Sequence, residues 1–191
     1  MKSVFRLGIF LLAYSFCLSN LVAQQSIAEQ LKACEERMQY ADDLISSEGL
    51  GKVVFVLETD NGKARRLREG EELTDYVSLF TIHFGESAFR VDEEPFCMSG
   101  DWYERHSHYF DGDGATIGYT FYSATFSSGC AEIAKVTVRK VLDAKLEVIQ
   151  HTTEIWDQDG NPLEESGCDL RMPDRYRIRP SFQVFRKEIG F

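Results

Sequence analysis

His106 and His108 are the residues whose types and spacing come closest to chemistry. Two apart in a segment that reads as a strand, they leave the same face and can reach one metal ion, zinc above all, through neutral imidazole nitrogens. Zinc needs a third ligand, for which His83, His151 and Glu104 are the candidates if folding brings them alongside. The opposing expectation is that both histidines sit on a solvated strand face. Other catalytic signatures are absent: no G-x-S-x-G, no phosphate-cradling Gly loop ending in Lys-Ser or Lys-Thr, no H-E-x-x-H, and no G-x-G-x-x-G after a strand. No cofactor is implied. The chain has 31 Asp and Glu residues, yet no spacing singles out one pair for glycoside hydrolysis.

Asp111-Gly112-Asp113-Gly114 and Asp157-Gln158-Asp159-Gly160 alternate carboxylates ahead of a glycine, as calcium loops do. The register excludes an EF-hand. Tyr109 and Thr120 fall at the first and last ligand positions of one, and Ile155 and Ser166 at those of the other. Both are predicted hairpin turns.

Binding chemistry is suggested by two further groups. Trp102, Tyr103, Tyr109, Phe110, Tyr119, Phe121, Tyr122 and Phe126 concentrate eight of the chain's 24 aromatic residues in one stretch. Large rings of this kind dominate burial, and those left over, among Trp102, Tyr109, Tyr119 and Tyr122, would offer a partner surface. Arg175, Arg177 and Arg179 alternate in what reads as a last strand, near Pro180. They are expected to guard a sheet edge or to dock an acidic or anionic-glycan partner.

Stepping along the chain, Lys2 and Arg6 precede an apolar run from Leu7 to Leu18 and a segment ending at Ala23, the pattern of a secretory signal peptide over residues 1–23. The run is too short for the ~20 residues a spanning helix needs. Cys17 follows Phe16, a poor setting for lipidation. With Lys2 and Arg6 removed, 19 basic residues stand against 31 acidic ones, a formal charge of −12. This balance argues against nucleic acid and for a cationic protein partner. The chain holds no N-x-S/T sequon, which leans the location toward a bacterial periplasm or the cell exterior. Cys34, Cys97, Cys130 and Cys168 remain after cleavage, an even number that predicts two disulfides of open pairing. No C-x2-C pair supports a four-cysteine zinc site.

The element pattern is a single α+β domain over residues 24–191. Ser26 and Glu29 form a capping box, and Ile27, Leu31, Cys34, Met38, Ala41 and Leu44 or Ile45 mark an amphipathic helix over 26–47 that Gly49 would close. A disulfide from Cys34 would staple that helix to the sheet. Nine β-rich runs follow: 52–59, 64–68, 75–84, 88–92, 102–110, 115–126, 132–141, 145–156 and 175–185. Asp60-Asn61-Gly62, Asp113-Gly114 and Asp159-Gly160-Asn161 are turn signals between them, so the strands should form a mostly antiparallel β-meander, curled enough to limit its edges. A second helix is not expected. The functional expectation is an exported, acidic, non-enzymatic binding or inhibitor-type protein working through a sheet face or loops, against the alternative of a metal-dependent or carboxylate-based hydrolase.

Overall fold

The computed structural model describes residues 26–47, 51–58, 62–73, 76–85 and 89–190. The signal segment, Cys17, Gly49 and most of the Asp60-Asn61-Gly62 turn lie outside them. Helix α1 spans 26–46, with Met38 and Ala41 buried and Leu31, Cys34, Leu44 and Ile45 half-buried. Eight strands follow: β1 (Gly51–Leu57), β2 (Ala64–Arg66), β3 (Ser78–Phe84), β4 (Phe89–Pro95), β5 (Trp102–Phe110), β6 (Thr116–Phe126), β7 (Ile133–Leu142) and β8 (Val148–Trp156). Helix α2 spans Phe182–Ile189.

All neighbouring strands are antiparallel, in the order β2-β1-β3-β4-β5-β6-β7-β8. No pairing joins β2 to β8 among the described residues, so the sheet is open. The predicted hairpin turns form, and their first aspartates hold them. The Asp111 carboxylate accepts the Asp113 and Ala115 amides, and that of Asp157 accepts the Asp159 and Asn161 amides. Asp143 does the same for Lys145 and Glu147. Acceptors committed to backbone N–H groups account for these acidic turns without a cation.

Side-chain alternation gives the sheet two differently covered faces. On one, α1 packs through Met38 and Ala41 against Tyr109, Ile117 and Val141. Gly118 makes that approach: a Cβ there would overlap the Met38 thioether. On the other, α2 drives Phe185 and Ile189 against Phe80, Ile82, Val91 and Phe110, while Leu170, Met172, Tyr176 and Ile178 lie over Tyr119, Phe121, Val136 and Val138. This second layer lacks regular structure, so sheet side chains satisfy part of its backbone. Ser123 donates to the Arg171 carbonyl and Thr116 to that of Arg179.

Three expectations are corrected. The ninth strand does not form: 175–180 crosses the sheet face irregularly, and a second helix follows. Pro173 and Pro180 deny this segment strand hydrogen bonds, and Ser181 caps α2 by accepting the Val184 amide. Phe182, Phe185 and Ile189 then repeat at helical steps before Gly190 takes the left-handed cap, φ 87°. The edges are instead β2 and β8, the latter partly covered where the Leu163 amide reaches the Ile155 carbonyl. Finally, one disulfide forms rather than two, joining Cys130 to Cys168. Cys34 and Cys97 are free thiols at opposite ends of the strands, Cys34 near Leu142 and Cys97 near Asp101. A nine-residue strand separates those ends by roughly 30 Å, beyond any disulfide. Burial pushes the Cys34 thiol pKa up, which keeps it protonated.

Candidate functional site

Strand β5 sends Trp102, Glu104, His106, His108 and Phe110 to the α2 face, and the histidines are buried rather than solvated, at 5% and 0% exposure. His108 Nε2 accepts the Arg179 amide at 3.2 Å, leaving Nδ1 buried and without a partner. Burial first, then the nearby Arg179 and His106, depress its pKa to about 3, so the imidazole is neutral near pH 7. His106 Nδ1 shares a 2.7 Å hydrogen bond with the Tyr119 hydroxyl, and its ring stacks on Tyr176 at 3.8 Å.

Around this pair the polar groups neutralise one another. The Tyr176 hydroxyl donates to Glu93 at 2.6 Å and accepts from Arg179, which itself reaches Glu93 at 3.0 Å and Glu188 at 3.2 Å. Glu104 faces His106 at 3.7 Å and binds Arg171. Burial opposes ionisation of Glu104, but His106 and Arg171 outweigh it and lower its pKa.

The proposed third metal ligands do not complete a site. His83 leaves the opposite face, 3.2 Å from Asp92. His151 lies on β8, three strands away from β5, a separation of roughly 14 Å. Among the described residues no group of three or more His, Cys, Asp or Glu side chains is arranged to hold a metal ion.

The aromatic and arginine candidates are likewise dispersed. Tyr109 is buried beneath α1 and donates to Asp42 at 2.8 Å, and Tyr119 is buried beneath the irregular segment. Arg171 lies 4.0 Å over the Trp102 ring. Tyr122 is half-exposed on the α1 face beside Tyr103 and Arg105. Arg179 is spent internally, while Arg175 and Arg177 are exposed.

A second charged cluster joins α1 to the sheet. Arg90 bridges Asp42 and Asp92, both at 2.6 Å. Burial opposes the Asp92 charge, yet the His83 hydrogen bond and the Arg90 charge prevail and hold its pKa at about 2. Each buried charge thus has a partner, as a structural clamp requires.

An apolar groove of about 510 Å³ opens beside α2. Val53 and Phe55 of β1, Ile82 and Phe84 of β3, Phe89 of β4 and Phe182 of α2 line it, with Arg66 and Arg186 as its charged residues. Register explains the assembly, since Val53 pairs Ile82 and Phe55 pairs both Phe80 and Arg66. Gly51 leaves room for Phe84, whose ring would stand 2.6 Å from a Cβ at that position. Sequence reasoning missed this groove. Its local clue was the Phe182, Phe185, Ile189 spacing behind a Ser cap.

No protein-family profile, curated protein or solved structure matches the chain. Among the described residues no helix is long and apolar enough to cross a membrane.

Proposed function

We propose that this chain is an exported, non-enzymatic binding protein whose contact site is the groove between α2 and the β1, β3, β4 region of the sheet. The observation that carries this reading is the groove lining: six apolar side chains and two guanidiniums, with no nucleophile and no carboxylate or imidazole for proton transfer. The histidines that motivated a hydrolase are instead engaged in packing and hydrogen bonds. Export is supported by the pattern of residues 1–23 and by the Cys130–Cys168 bond. Burial of Met38 and Ala41 supports an amphipathic α1, and cores on both faces support a curled sheet in a single domain over 24–191. A cationic protein partner is carried by net charge alone and would contact a surface outside this groove, whose charged residues are both basic.

The test is saturable binding of the neutral reporter N-phenyl-1-naphthylamine, followed by its fluorescence. Phe84 is 48% exposed, so Phe84→Asp alters the groove while sparing the core. Loss of binding in this variant is expected. Equal binding by both proteins, or none by the native one, contradicts the reading.

A further inference from the structure

We infer that the groove selects a single-chain amphipathic anion, an acyl tail ending in a carboxylate, a deepening that rests on the groove being the binding site. Three observations converge. The lining is apolar except for Arg66 and Arg186, so a tail gains by leaving water while any charge it carries must be negative. Arg66 stands opposite Phe55 in register, is exposed, and its side chain has no hydrogen-bond or ion-pair partner among the described residues. Its guanidinium fork therefore remains available at the apolar wall, in the geometry that receives a carboxylate through two N–H donors. The volume of about 510 Å³ falls within the ~300–1,000 Å³ typical of small-molecule sites.

Charge sharpens the choice. The chain carries 31 acidic against 21 basic residues, so its general field repels anions. Two arginines at an open apolar groove run against that field. A neutral lipid gives Arg66 no counter-charge, and a cationic one is repelled by it.

The experiment is titration calorimetry of protein expressed from the full-length chain, using dodecanoate, dodecanol and dodecyltrimethylammonium below their micelle concentrations. Dodecanoate is expected to bind at least tenfold more tightly than either other probe. Arg66→Ala should weaken dodecanoate by about tenfold, the effect of losing a charge-assisted pair. Arg66→Glu should weaken it further while admitting dodecyltrimethylammonium. Circular dichroism verifies that both variants remain folded. Equal affinity for dodecanoate and dodecanol, or unchanged dodecanoate binding in both variants, overturns anion selection and leaves the groove as a general apolar site. Failure of all three probes to bind overturns the inference, and the reporter test above then decides whether the groove reading falls too.

Discussion

The two faces of the sheet are covered to different degrees. The α1 face is crossed by a long helix whose Met38 enters the space left by Gly118 and whose Asp42 binds Arg90 and Tyr109. The opposite face is shared by an eight-residue helix and an irregular segment, and beside that short helix an apolar groove stays open. Both faces bury charged and imidazole side chains, each engaged by at least one partner within the fold, although His108 Nδ1 has none. Buried titratable groups here serve the fold, whereas incompletely covered apolar side chains are where the proposed contact falls.

The largest expected effect breaks the α1 clamp. Arg90→Leu removes the guanidinium that Asp42 shares with the buried Asp92, leaving Asp92 to His83, and should cost about 3–5 kcal/mol in urea unfolding. A loss below ~1 kcal/mol would show that α1 is held by apolar packing alone.

Acid probes the other face. An unfolded histidine gains a proton below about pH 6.5, whereas native His108 stays neutral down to about pH 3. The unfolded state therefore binds more protons in this window, and stability falls as pH falls. Asp92 acts lower: its stabilising contribution is present above about pH 4 and lost toward pH 2. Between pH 6.5 and 4 the His108 loss should be on the order of 3 kcal/mol. Urea unfolding of His108→Gln across that range should show this slope removed, and an unchanged slope would place the acid sensitivity elsewhere.

Smaller changes sharpen the contrast. Gly118→Ala displaces Met38 and should cost about 1–3 kcal/mol, measured by the same unfolding curves. Ser181→Ala removes the α2 cap for about 1 kcal/mol. Because α2 carries Phe182 and Arg186, this variant should also weaken reporter binding, whereas Gly118→Ala should leave it intact.

Much of the sheet was legible in the sequence. Trp102–Phe110 shows both its bounds through the aromatic pairs Trp102-Tyr103 and Tyr109-Phe110 between turn residues, and the Asp-Gly turns mark hairpins. Residues 175–185 misled because Arg175, Arg177 and Arg179 alternate with period two, while the helical repeat of Phe182, Phe185 and Ile189 is only two steps long. The groove was illegible for a different reason. Arg66, Phe84, Phe89 and Phe182 come from β2, β3, β4 and α2, and only the order β2-β1-β3-β4 and the return of α2 bring them together. The Tyr176–Glu93 and Arg90–Asp42 contacts span 83 and 48 residues, distances at which spacing carries no signal.

The most direct measurement is amide chemical-shift mapping of the protein titrated with N-phenyl-1-naphthylamine. Shifts are expected to cluster at Val53, Phe55, Ile82, Phe89 and Phe182, with His106 and His108 undisturbed. Shifts centred on His106, His108 and Tyr176 would contradict it, and would return attention to the buried histidines as a site of function.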